Sequence, residues 1–147
     1  MSASPPDDAA RGDAAEAWLL MSDLVLDNGR RREVSEALGM SFARARAIRR
    51  LARRSMSMGE LAAALGIEPP NATVVVDDLE AQGLVRRKPH PTDRRTKLVE
   101  ATRKGRDKAR QADAILSTPP PGLSALSAHD LHTLQWLLRS INAPTED

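Results

Sequence analysis

The stretch SMGELAAALGIEPPNATVVVDDLEAQGLVRRKPHPTDRRTKLVEAT, from Ser57 to Thr102, decides the fold. Ser57 and Glu60 fit the S-x-x-E capping box, in which the serine hydroxyl accepts from an orphan N–H at the start of a helix. That places a helix over Met58 to Leu65, stopped at Gly66. Pro69 and Pro70 suit the turn and the opening of a second helix, and Ala72, Val75, Val76 and Leu79 give it one buried face up to Gly83. Two short helices joined by a tight glycine-containing turn make a helix-turn-helix. After Gly83 the period changes. Leu84 to Pro89 and Thr96 to Ala101 read as short strands, and His90-Pro91-Thr92-Asp93-Arg94-Arg95 between them is a polar hairpin tip. Helix, turn, helix, strand, basic tip, strand is the order of a winged helix-turn-helix, in which the second helix enters the major groove of DNA.

Outward from this module the chain is helical. Towards the N-terminus, Ala14, Ala17, Trp18, Met21, Leu24 and Val25 recur at helical spacing from about Asp13, and Gly29 breaks or bends that helix. Residues 1–12, rich in Pro, Asp, Ala and Ser, read as a disordered tail. A short helix spans Arg31 to Leu38 and ends at Gly39. Ser41 caps the next, whose apolar stripe is Phe42, Ala45, Ile48, Leu51 and Ala52, with arginines over the rest of its surface. Towards the C-terminus, Thr102 caps a charged helix to about Leu116. The run Thr118-Pro119-Pro120-Pro121-Gly122 is a break, and Ser127-x-x-Asp130 caps a last helix through Ile141. The fold class is thus mainly α with a small β-hairpin wing. Residues 13–54 would be N-terminal dimerisation and support helices, 55–101 the DNA-binding module, and 102–147 C-terminal dimerisation helices.

Charge is segregated along the 147 residues although the formal net charge is only +2. Residues 30–54 carry nine arginines against two glutamates, a net of +7. Residues 55–85 carry five acids and no Lys or Arg, whereas 86–110 carry eleven basic residues against three acids, a net of +8. Two basic blocks flank an acidic middle, and the arginine-rich helix after Ser41 reads either as a solvated basic face or as one that faces phosphate or a dimer partner. The absence of cysteine excludes disulfides, thiolate metal sites and thiol nucleophiles. No apolar run approaches the roughly 20 residues that span a bilayer, and the acidic, polar N-terminus is unlike a signal peptide, so the cytoplasm is expected. No Ser-His-Asp arrangement, glycine-rich phosphate loop or inward carboxylate pair stands at an interpretable spacing, so neither catalysis nor a cofactor is expected. His129 and His132 flank Asp130 at a spacing open to a metal, but an ordinary helix start explains them better.

Gly59-Glu60-Leu61-Ala62, the run from Val76 to Arg87, and above all Asp93-Arg94-Arg95-x-Lys97-x-Val99-x-x-Thr102-x-x-Gly105 resemble the MarR family (multiple antibiotic resistance regulators) of bacterial transcription factors. The resemblance implies a homodimer whose N- and C-terminal helices interlock and which reads a pseudo-palindromic operator on double-stranded DNA. It implies a ligand-responsive repressor, with a small aromatic or anionic effector between the dimerisation helices and the winged module; Met40, Phe42 and Arg46 are candidates for its lining. Within the wing, the family pattern Asp-x-Arg assigns Arg95 to the minor groove and Asp93 to orienting it, with Arg94 beside them. The residues agree: apolar faces from Trp18 and Leu24 at one end to Trp136 and Leu137 at the other need cover that a small module alone does not supply, the alternative being a monomer whose terminal helices pack on its own core.

The helix that should read bases departs from the family. Its relatives commonly carry arginines at the positions of Val74 and Asp78. A carboxylate aimed at phosphate is repulsive, so base reading would fall to Asn71, Thr73 and Val74, the last against a thymine methyl. Either Asp77 and Asp78 pair with nearby arginines, or the wing and the arginine-rich helix dominate binding. Arg86, Arg87, Lys88 and Lys97 read as phosphate contacts, which add affinity but no sequence choice. The alternative is an interaction module that keeps the fold and has lost operator reading, motivated by the acidic middle.

Overall fold

The computed structural model describes residues 8–26 and 29–143 and divides the chain into two units, Met1–Leu116 and Ser117–Asp147. In the first unit α1 (Asp8–Leu26), α2 (Arg30–Leu38) and α3 (Phe42–Arg53) precede β1 (Met56–Ser57) and α4 (Met58–Leu65). Then come α5 (Pro69–Ala81), β2 (Val85–Pro89), β3 (Lys97–Ala101) and α6 (Arg103–Leu116). The second unit holds α7 (Pro121–Ser124) and α8 (Ala128–Ile141).

The capping residues do what their chemistry predicts. The Ser41, Ser57 and Ser127 hydroxyls accept from the backbone N–H of Arg44, Glu60 and Asp130 at 3.4, 3.2 and 3.1 Å. Each satisfies one donor that the first turn leaves orphaned. The turn of the helix-turn-helix is set by Gly66, whose φ of 67° lies in the left-handed region open to glycine. Behind it the Ile67 N–H donates to the Ala62 carbonyl at 3.1 Å, closing α4.

The core forms where the stripes of these helices meet. Ala45, Ile48 and Leu51 of α3, Leu61 and Leu65 of α4, and Val75, Val76 and Leu79 of α5 are buried in one cluster with Leu84, Val85, Val99, Ala109 and Ala112. Gly105 lies at the tightest point. A Cβ there would stand 2.0 Å from the Leu84 carbonyl oxygen and 2.9 Å from Ile48 Cδ1, so α6 packs on the strand root only because this residue has no side chain. Thr102 secures the same corner: its hydroxyl donates to the Gly83 carbonyl at 2.7 Å and accepts from the Gly105 N–H at 3.1 Å.

Four sequence expectations need correction. The first helix starts at Asp8, not near Asp13, because the alanines at 9, 10, 14 and 15 have enough helix propensity to extend it; of the tail expected over 1–12, residues 1–7 lie outside the described residues. The sheet has three strands in the order β1-β3-β2, all antiparallel. The missed strand, Met56–Ser57, pairs with Val99 and Leu98 and is too short to show a two-residue period. The proline-rich break contains a one-turn helix, α7, begun by Pro121. Finally, Pro69 is already the first helical residue of α5, with Glu68 before it as cap.

Apolar side chains stand exposed on the outer helices. On α1, Trp18, Leu20 and Leu24 are at least half exposed, and on α8 so are Trp136 and Ile141. Among the described residues no helix is long and apolar enough to cross a membrane, and no group of three or more metal-binding side chains stands together.

Candidate nucleic-acid interface

Two elements of the winged module face outward with polar side chains: α5 and the β2–β3 tip. On α5 the buried residues Ala72, Val75, Val76 and Leu79 fix one face. The opposite face therefore carries Asn71, Thr73, Val74, Asp77 and Glu80, all exposed. Thr73 turns its hydroxyl back to the Pro69 carbonyl at 3.2 Å, and Val74 leaves over half of its surface open to solvent.

The carboxylates of α5 are held by arginines from neighbouring elements. Asp78 takes the guanidinium of Arg44, which reaches over from α3. Arg87 of β2 bridges Asp77 at 2.7 Å and Glu80 at 2.8 Å, and the Asp77 hydrogen bond raises its pKa further. The pairing of Asp77 and Asp78 to nearby arginines, one of the possibilities left open by the sequence, is present. Sequence could not single out Arg44 and Arg87 among so many arginines, because the pairing depends on how α3 and β2 lie against α5.

This arrangement removes Arg87 from the free cations that its sequence position implied. Arg86 and Lys88 are engaged too, gripping Glu100 across the ladder at 2.5 and 2.6 Å; Arg86 lies opposite Glu100 in register. Hydrogen bonds from Lys88 and then Arg86 hold the Glu100 carboxyl below its usual pKa. These strand cations balance local carboxylates before they balance phosphate.

The tip is different. Asp93 accepts from the Arg95 backbone N–H at 2.9 Å and from the Thr96 hydroxyl at 3.0 Å, and these two bonds depress its pKa. It thus shapes the backbone that carries the arginines and leaves their guanidinium groups alone. His90 closes the other side of the loop, its Nδ1 accepting from the Thr92 and Asp93 N–H groups at 3.2 and 3.1 Å. Arg94, Arg95 and Lys97 are exposed and have no ion-pair or side-chain hydrogen-bond partner among the described residues.

A concave shelf of about 380 Å³ lies beside them, lined by Ser57, Met58, Gly59, Arg95, Thr96 and Lys97. It joins the wing root to the N-terminus of α4, where first-turn N–H groups and the positive helix end favour an anion. The sequence held a signal for this shelf in Gly59, which leaves the second helical position without a side chain.

The three residues suggested for an effector lining are not brought together. Met40 is buried in the core, and Arg46 lines a cavity with other arginines of α3. Phe42 lines a separate cavity of about 290 Å³ with Val25, Arg30, Arg31 and Leu116, in which the Arg31 guanidinium stacks 5.4 Å over its ring. The missed partners, Val25 and Leu116, are far from Phe42 in sequence and meet only through helix packing.

Comparison with known proteins agrees with this geometry. Residues 38–96, from the end of α2 to the wing tip, match the model of the MarR family. The winged module thus matches the MarR family. Members of this family are transcription regulators, not enzymes. A MarR-family transcriptional regulator from Rhodococcus sp. RHA1 aligns at 26% identity and a TM-score of 0.67, covering 96% of this chain and 100% of that one. The reduced form of MarR from E. coli aligns at 22% identity and a TM-score of 0.69, over 86% of this chain and 96% of that one. CouR from Rhodococcus jostii RHA1, solved bound to p-coumaroyl-CoA, aligns at 22% identity and a TM-score of 0.65, over 89% and 94% of the two chains. At 22–26% identity these structures share the arrangement of the fold.

Proposed function

We propose that this chain is a MarR-family regulator, a homodimeric repressor that binds double-stranded DNA mainly through its wing and answers to a small effector. The observation that carries the reading is the wing tip, where Arg94 and Arg95 stand unpaired on a loop shaped by Asp93. A lone guanidinium on a narrow hairpin suits the minor groove, whose negative potential is greatest where it is narrow. Lys97 and the α4 N-terminus, on the shelf beside Arg95, take the adjoining phosphates. Asn71, Thr73 and Val74 are then the side chains of α5 that meet base edges, Val74 by apolar contact with a thymine methyl.

Dimerisation follows from the apolar faces of α1 and α8, which need cover. A second copy supplies it at no cost in new sequence. The effector site is the Phe42 cavity, where a ring meets Phe42 and an anionic group meets Arg31. CouR, with its p-coumaroyl thioester ligand, is a relative of the same fold that takes an aromatic anion. Binding there changes DNA affinity only so far as the ligand prefers one spacing of the two winged modules.

The test is the salt dependence of binding to duplex DNA. Several neutralised phosphates give a steep fall of log affinity with log salt, about 0.9 per phosphate. A slope near zero sinks the DNA-binding reading and returns the molecule to an interaction module. The acidic middle that motivated that alternative is paired to Arg44 and Arg87 and so offers a cationic partner little free charge.

A further inference from the structure

Arg30, Arg32, Arg44, Arg49, Arg54, Arg86, Arg87 and Arg110 are each matched to a carboxylate, whereas two clusters of arginines are largely not. One is the wing tip. The other is on α3, where Arg46, Arg49, Arg50 and Arg53 line a single cavity of about 70 Å³. Only Arg49 has a carboxylate, Asp113 of α6 at 2.6 Å. Arg46 reaches the Leu65 carbonyl at the end of α4, at 3.4 Å. Arg50 and Arg53 have no hydrogen-bond or ion-pair partner among the described residues.

These four positions stand at i, i+3, i+4 and i+7, so their charges share one helix face and repel one another. An anion seated among them removes that repulsion, and guanidinium groups present forked donors that match a tetrahedral oxyanion. The cavity is far below the ~300 Å³ at which pockets for whole organic ligands begin, so it suits an oxyanion group and not a whole organic ligand. A second cavity of about 330 Å³ opens beside it. It shares Arg50 and Arg53 and adds Arg54, Met56 and Ala64. An anion socket with an apolar floor at its rim selects a ligand that is phosphate at one end and apolar at the other.

We propose that this face of α3 binds a small phosphorylated metabolite, its phosphate or pyrophosphate group among Arg46, Arg49, Arg50 and Arg53 and its body over Met56 and Ala64. The site is separate from the Phe42 cavity, with which it shares no lining residue. It touches α3, β1 and α4 together, since Met56 lies in β1 and Ala64 in α4. A phosphate that draws Arg46 off the Leu65 carbonyl therefore acts on the first helix of the helix-turn-helix.

The probe is pyrophosphate, titrated calorimetrically into the full-length protein at constant ionic strength. Saturable binding of one pyrophosphate per chain is expected, with Arg50→Gln and Arg53→Gln each weakening it about tenfold through loss of charged hydrogen bonds. Arg50→Lys keeps the charge without the fork and weakens binding less than Arg50→Gln. In parallel, the salt slope for a short mixed-sequence duplex without pyrophosphate stays the same in all three variants. Absence of saturable binding, or equal binding by wild type and variants, overturns the proposal. So does a salt slope that falls by about 0.9 per glutamine substitution, which assigns the stripe to the DNA backbone whatever pyrophosphate does. The outcome does not depend on the wing reading, because pyrophosphate binding is measured without DNA.

Discussion

The recognition helix and the wing tip treat charge in opposite ways. On α5 the carboxylates Asp77, Asp78 and Glu80 are each tied to an arginine of another element. On the tip the single carboxylate, Asp93, bonds backbone and hydroxyl, and the adjacent arginines are left unpaired. The first arrangement consumes cations to make a neutral surface; the second spends an anion on posture and keeps its cations for a partner. On the proposed reading, a protein built this way draws DNA affinity from the wing and confines α5 to what Asn71, Thr73 and Val74 can recognise. Arginine is therefore a poor marker of phosphate contact in this chain until its local partner is known.

The comparison needs both elements to keep their relative position, and Gly105 is where that is most easily broken. Leu84 joins α5 to β2, and its carbonyl lies 2.0 Å from where a Cβ on Gly105 would be. Gly105→Ala must push α6 off the strand root, at a cost on the order of 3 kcal/mol for overpacking. Chemical denaturation reads this directly, and an unchanged midpoint means that the corner is softer than its packing implies.

The next effect belongs to the wing. Arg95→Ala is expected to weaken binding to duplex DNA by about 1–3 kcal/mol and Arg94→Ala by less, since Asp93 fixes the backbone N–H of Arg95 itself. Competition binding at one salt concentration ranks the two. Equal, negligible effects place the tip in solvent and remove the asymmetry between the two regions.

How much of this the sequence carried depends on the range of the interaction involved. Capping serines, the buried face of α5 and the motif residues Asp93, Thr102 and Gly105 act within a few positions or through period, so they were readable. The third strand was not, because two residues have no period and β1 exists only through β3. The ion pairs were not either: Arg44 and Asp78 are 34 residues apart. Arg86 and Arg87 looked alike in sequence. Strand alternation sends one to Glu100 and the other to α5. The three suggested effector residues are not brought together for a related reason, since Met40, Phe42 and Arg46 are near in sequence but face different parts of the helix packing.

Asp78→Asn tests the neutral surface of α5. It releases Arg44 and removes a negative charge from the DNA side, so affinity for duplex DNA rises and the salt slope steepens, by up to about 0.9 if Arg44 gains a phosphate. The partly exposed pair contributes only about 0–1 kcal/mol to stability, so folding changes little. A fall in DNA affinity on this substitution would mean that Asp78 itself meets a base, as an acceptor for a cytosine amino group.

The smallest effect expected at neutral pH, and the most local, is the titration of Asp93. Its pKa is lowered below the ordinary 3.8, first by the Arg95 N–H and then by the Thr96 hydroxyl. A depressed carboxyl contributes order that is fully present above its unfolded pKa and lost as pH falls through the folded one. The tip therefore keeps its shape throughout the neutral and mildly acidic range and loosens only below about pH 4. The Arg95 amide resonance, followed by NMR, should move with a midpoint below 3.8, and in Asp93→Asn that transition should vanish. Asp93→Asn retains an acceptor for the Arg95 N–H but loses the charge, so its DNA affinity at neutral pH should fall less than that of Arg95→Ala. A larger fall for the asparagine variant would make the charge of Asp93, not its hold on the backbone, the element that sets Arg95, and the contrast with α5 would have to be redrawn as two forms of charge pairing.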